Sequence, residues 1–267
     1  MLRDITIGQY YPVDSPIHRL DPRTKLSGTM VFLISLFLTK SVVGYVLATL
    51  VLASLIKISH VPFRFITRGL KAILILLIIS VSFNLFLTDG TPIFQLGFLR
   101  ITWEGLVFAA FMAIRLVYLV LGSSLMTLTT TPNQLTDGLE RGLGIFRRVG
   151  VPVHEIAMMM SIALRFIPIL VEEADKIMKA QTARGADFDT GGLLDRAKAM
   201  VPLLVPLFIS AFRRASDLAM AMEARCYHGG EGRTKMKPLK YERRDRVAYF
   251  LMLFYAVLML STRFLPI

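Results

Sequence analysis

The sequence predicts an all-α integral membrane protein, and three observations carry that reading. Hydrophobic residues make up 54% of the 267, and the mean hydropathy is +0.59, above what a soluble domain carries. The formal net charge is nevertheless +12. The two properties are segregated along the chain, because 33 of the 50 charged residues fall between Thr131 and Arg246.

The apolar runs come in order. Leu26–Thr39 is followed after Lys40 and Ser41 by Val42–Ile56. The first run is short for a hydrocarbon core of about 30 Å; the pair fits two tilted spans with a tight turn, the preferred reading, or one span with a re-entrant piece. Leu70–Leu87 is a third span, Leu106–Thr127 a fourth interrupted by Arg115, and Val247–Ser261 a fifth. The segment before Leu26 has prolines and acids where the apolar stretch of a signal peptide would lie. About five transmembrane helices are expected, with membrane segments over 1–130 and 246–267 and a polar helical insert over 131–245.

Basic residues in the short connections orient the chain. Arg3, Arg19, Arg23 and Lys25 precede the first run, and Lys57, Arg64, Arg68 and Lys71 occupy the second connection. Lys40 and Arg100 stand alone in the first and third. The N-terminus and the insert are therefore expected in the cytoplasm and the C-terminus outside.

The insert reads as amphipathic helix. Ile156, Met160, Ala163, Ile167, Leu170, Ala174 and Ile177 recur at spacings of three and four, and Leu204, Leu207, Ala211, Ala215, Leu218 and Met222 repeat the habit. A shorter amphipathic helix over Asn133–Arg148 precedes both. Pro168, Pro202 and Pro206 are expected to bend or divide the long helices. Glu172-Glu173 and Arg213-Arg214 occupy matching places with opposite sign, and attraction where the helices cross is one reading; a solvated charged face is the other.

Two segments have matching ends. With an offset of 41 residues, Ala174/Ala215, Ala180/Ala221, Ala183/Ala224 and Arg184/Arg225 coincide. One copy of such an ending reads as an arginine complementing the helix dipole, worth ~0.3–1 kcal/mol. Duplication at the ends of two matched helices favours docking of two similar partners, since guanidinium presents a planar fork of donors to carboxylates.

At these residues the chain resembles the transmembrane T component of energy-coupling factor (ECF) transporters. Ala183-Arg184-Gly185 matches that family's Ala-Arg-Gly motif, while Ala224-Arg225-Cys226 has Cys in place of Gly. Asp21, Pro22, Arg23 and Lys25, within His18–Lys25, resemble the N-terminal signature, for which a structural role is expected. Leu164-Arg165-Phe166-Ile167-Pro168, with Glu172 and Gln181 downstream, resembles the stretch before the first motif. The resemblance implies long cytoplasmic coupling helices whose Arg184 and Arg225 tips dock two ABC-type ATPases. It also implies a separate membrane-embedded S component that binds a vitamin or a transition-metal ion such as cobalt, in a bacterial or archaeal cell membrane. ATP and Mg would then be bound by the ATPases, with no cofactor in this chain.

Other chemistry finds little footing. One cysteine, Cys226, excludes an intramolecular disulfide, and the four histidines have no ligand spacing, so no metal site is expected. Gly229–Arg233 is Gly-rich but lacks the Gly-Lys-Ser/Thr of a phosphate loop. A membrane enzyme would need converging acids, histidines or a nucleophile within the spans, which carry almost none. Arg115 is expected to snorkel or to pair with Glu104 or Asp89. Two alternatives remain at this level. One is a membrane anchor whose basic insert binds other partners; its mixed charge disfavours nucleic acid. The other is a conventional ABC permease.

Overall fold

A computed structural model describes residues 10–39, 41–88, 90–96, 99–186, 188, 192–229, 236 and 238–262. Arg3, Lys40, Asp89 and the 230–233 part of the glycine-rich stretch lie outside the described residues. In chain order the elements are α1 (Pro22–Leu38), α2 (Val42–Ser59), α3 (Phe63–Ile66), α4 (Arg68–Leu87), β1 (Pro92–Leu96), β2 (Leu99–Thr102), α5 (Trp103–Thr129), α6 (Pro132–Gly142), a 3-10 segment (Leu143–Val149), α7 (Val153–Ala183), α8 (Leu193–Glu223) and α9 (Arg243–Ser261). The small antiparallel β1–β2 hairpin between α4 and α5 has no counterpart in the sequence reading.

The chain packs as two compact units, Gly8–Gly138 with Leu239–Ile267, and Leu139–Pro238. In the first, α5 is the central helix. It lies against α1, α2, α3 and α4, and α9 packs on α1. Phe32 and Leu36 of α1, Ala48 and Leu52 of α2, Leu121, Leu125 and Leu128 of α5, and Tyr255 and Met259 of α9 form the buried core. Gly122 is what lets α5 approach α1, because a Cβ there would stand 2.8 Å from the Phe32 ring. The outward faces stay apolar: Ile34, Phe37, Ile75, Phe83, Phe250 and Phe254 are all exposed, as a lipid-facing surface requires.

Among the described residues, four helices are long and apolar enough to cross a membrane: α2, α5, α7 and the Lys198–Glu223 part of α8. Phe63–Lys71 and Ile73–Leu87, joined by a 61° bend, make a fifth if taken as one span. The chain is thus a multi-pass, all-α membrane protein, but the qualifying helices are not the five read from the sequence. At 17 residues α1 lies at the lower end of the length a span needs. The first turn of α9 holds Arg243, Arg244, Asp245 and Arg246. The long insert helices qualify because their charges are spread thinly enough to leave an apolar window.

Most polar side chains in the apolar unit bond within it, the buried Thr24 and Thr130 hydroxyls being exceptions. The hydroxyls of Thr29, Ser54, Ser123 and Thr127 each donate to a carbonyl four residues back. Arg115 does not pair with Glu104, which instead holds Thr91. Its guanidinium donates to the Tyr45 hydroxyl at 3.1 Å and to the Thr39 carbonyl at 3.3 Å. That carbonyl is free to accept because α1 has just ended.

A polar knot joins α1, α5 and α9. Asp21 caps α1 by accepting the Arg23 N–H at 2.9 Å, with Pro22 in the first helical position, and grips the Arg23 guanidinium with both oxygens. The Asp21 N–H donates to Asp245 at 2.9 Å, and the other Asp245 oxygen accepts the Glu242 N–H that opens α9. Buried Lys25 donates to the Thr129 carbonyl at the end of α5, at 2.8 Å, and to the His18 carbonyl at 3.0 Å. A cation there suits the negative end of the α5 dipole. Arg23 stacks 3.9 Å from the centre of the Tyr241 ring.

The segment before α1 is held by His18. Its Nε2 lies 3.1 Å from the Tyr11 carbonyl, which only accepts, so Nε2 carries the proton and Nδ1 accepts from Ser15 Oγ at 2.7 Å. Burial pushes the imidazole pKa below its usual value.

Two outcomes follow from these contacts. Asp245→Ala removes the acceptor of two backbone N–H groups, and a loss of about 2–3 kcal/mol is expected, read as a lower melting temperature in detergent. His18 takes its proton more readily in the unfolded segment than in the folded one. Stability is therefore intact above about pH 6.5 and falls below it. Hydrogen exchange at the Tyr11 amide, bonded to the Leu128 carbonyl, should accelerate severalfold beyond the intrinsic rate change between pH 7.5 and 5.5. His18→Phe should abolish that extra acceleration.

Candidate functional site: the arginine ends of two matched helices

In the second unit, α7 and α8 are each 31 residues long, about 46 Å at 1.5 Å per residue. Pro168, Pro202 and Pro206 do not divide them; both run through as single helices. The start of α7 is tied back to α6, where His154 Nδ1 stands 2.9 Å from Glu140.

Two side-chain ties join the long helices. Glu173 of α7 takes the Arg214 guanidinium of α8 at 2.7 and 3.2 Å and also accepts from Ser210. Of the two oppositely charged pairs, only Glu173 and Arg214 meet; among the described residues no interaction engages Glu172 or Arg213. Eight residues further along α7, the Gln181 amide donates to the Pro202 carbonyl of α8 at 3.3 Å. A later residue of α7 thus meets an earlier one of α8, so the helices run antiparallel. Arg184 and Arg225 each lie eleven residues beyond the ion pair, about 16 Å of helix. They point away from it in opposite directions.

Both ends close by the same hydrogen-bond pattern. After α7, the Gly185 N–H bonds the Thr182 carbonyl and the Ala186 N–H bonds the Gln181 carbonyl, each at 3.0 Å. After α8, Cys226 bonds Glu223 at 2.8 Å and Tyr227 bonds Met222 at 3.1 Å. Each is a Schellman closure, and the residue that must turn left-handed is Gly185 in one (φ +92°) and Cys226 in the other (φ +56°). Cys in place of Gly leaves the ending geometry intact.

Ala183, Arg184, Gly185, Ala224, Arg225 and Cys226 are all exposed. Among the described residues, neither arginine side chain has a hydrogen-bond or ion-pair partner. Each tip presents an exposed arginine flanked by an alanine that leaves room for close approach. The Ser210 and Gln181 ties escaped the residue-by-residue reading, because each needs the register of the antiparallel pair. The Pro202 carbonyl had one signal, the proline four residues on.

A side chain at positive φ is strained by about 1 kcal/mol. Cys226→Gly should therefore slow exchange of the Cys226 and Tyr227 amides, and Cys226→Val should speed it, leaving the Gly185 tip unchanged.

A family described as cobalt transport protein (CbiQ) matches residues 14–236. The chain is 55% identical over 250 residues to the energy-coupling factor transporter transmembrane protein EcfT of Clostridium kluyveri, covering 93% of each chain. The EcfT of Thermosediminibacter oceani is 52% identical over 264 residues, covering 99% of this chain and 100% of that one. The EcfT of Bacillus subtilis is 47% identical over 264 residues, with 98% and 100% covered. With both the family match and these relatives extending over most of its length, the chain belongs to the energy-coupling factor transporter transmembrane (EcfT) family.

Proposed function

We propose that this chain is the non-catalytic coupling subunit of its transporter. The Arg184 and Arg225 tips each dock one cytoplasmic ABC-type ATPase. The observation that carries this is the duplication itself: two exposed arginines, unpartnered among the described residues, on identical helix closures, set equally far from one interhelical ion pair. The docking faces would be concave and acidic, because a guanidinium fork is matched by carboxylates. ATP and Mg belong to those ATPases. Because α7 and α8 are joined at Glu173–Arg214, movement of one tip is passed to the other helix.

In this reading α7 and α8 are cytoplasmic coupling helices, and the N-terminus faces the same side, in keeping with the basic residues of the N-terminal segment and the second connection. A membrane-embedded S component binds the cargo, a vitamin or a transition-metal ion, and rests against the exposed apolar residues of the coupling helices, such as Leu204, Phe208 and Phe212.

The test is co-purification in detergent with the candidate ATPases encoded in the same genome. The wild-type chain should retain them, and Arg184→Glu/Arg225→Glu should lose them while keeping its melting temperature. Retention by the double variant would remove the arginines from the interface. Absence of any ATPase from both would overturn the coupling reading.

A further inference from the structure

α8 has a defect in its hydrogen-bond ladder, and α7 covers it. Proline has no N–H, so Pro206 cannot supply the ladder bond to the Pro202 carbonyl four residues back. That carbonyl instead accepts the Gln181 side-chain amide at 3.3 Å. On the other side of Pro206, Ser210 and Arg214 are held by Glu173. Two side chains of α7 thus bracket the weak turn of α8. Unsplinted proline breaks are where long helices bend.

Gln181 has a second task. Its own backbone carbonyl accepts the N–H groups of Arg184 and Ala186, each at 3.0 Å, closing the α7 end. One residue therefore touches both the joint in α8 and the closure that holds Arg184. The counterpart 41 residues on is Met222, whose carbonyl closes the α8 end in the same way but whose thioether has no amide to donate. The two tips are alike in closure and unlike in tethering.

We infer that Gln181 is a positioning residue that locks the Pro206 joint of α8 to the Arg184 end of α7, so that bending at the joint and displacement of this tip are one motion. Met222, with no side-chain amide, cannot make such a lock from the Arg225 end. This rests on the docking reading for its consequence in transport: through Gln181, the ATPase on Arg184 would sense bending of the other helix, α8. The lock itself is a property of the chain alone, and its test needs no ATPase.

The experiment is a double-mutant cycle read by pulsed electron paramagnetic resonance. The full chain in lipid nanodiscs carries Cys226→Gly, which removes the one native thiol and suits the left-handed turn, with spin labels at Lys179→Cys and Lys198→Cys. Gln181→Leu should at least double the width of the 179–198 distance distribution relative to Gln181. Pro206→Ala restores an N–H for the Pro202 carbonyl, so Gln181→Leu should then change the width by less than a fifth. A general packing role for Gln181 would broaden the distribution equally in both backgrounds, and that result overturns the proposal. So does no broadening in the Pro206 background. Loss of ATPase binding by the arginine variants would leave either result standing, so failure of the lock and failure of the docking reading are separable.

Discussion

An apolar surrounding offers no hydrogen bonds, and the rest of this structure depends on that constraint. Every polar atom in the helical bundle must find its partner inside the protein. Apart from the Thr24 and Thr130 hydroxyls, the bundle meets this with back-bonded hydroxyls, with Arg115 on a freed helix-end carbonyl, and with the Asp21–Arg23–Asp245–Lys25 knot. The knot also does the assembling, since its contacts tie the start of α1 to the start of α9 and the end of α5. In α8 a proline likewise orphans a carbonyl, and a glutamine from the neighbouring helix satisfies it.

Within the second unit, an antiparallel register turns two similar helices into a device with two equivalent ends. The Glu173–Arg214 pair joins residues 41 apart, the same offset that relates the two endings. The tips therefore stand at matched distances from a common tie. An ion pair this exposed contributes little to stability. Its importance lies in register, because it fixes how far each arginine reaches.

Much of this was legible in the sequence. Segregated charge announced a membrane protein, three- and four-residue spacing announced the long helices, and the repeated Ala-Arg ending announced the tips. The rest required information a linear reading does not hold. The spans are ambiguous at both ends of the bundle, because α1 has only 17 residues and α9 opens on four charged ones. The β1–β2 hairpin, short and flanked by strong helices, gave no clear period. Arg115 is expected to snorkel or to pair with Glu104 or Asp89; Glu104 holds Thr91 instead, and Arg115 takes a freed carbonyl and a tyrosine hydroxyl. Cys226 seemed a departure in a motif needing glycine, but an L-residue reaches the left-handed turn at modest strain. The prolines are expected to bend or divide the insert helices; none divides them, and the neighbouring helix splints one.

The central claim is that one tip holds one ATPase. Native mass spectrometry of the intact complex released from detergent tests it by counting. The account predicts two ATPase subunits on the wild-type chain, and one each on Arg184→Glu and Arg225→Glu alone. Two ATPases retained by either single variant, or both lost from one of them, would contradict it.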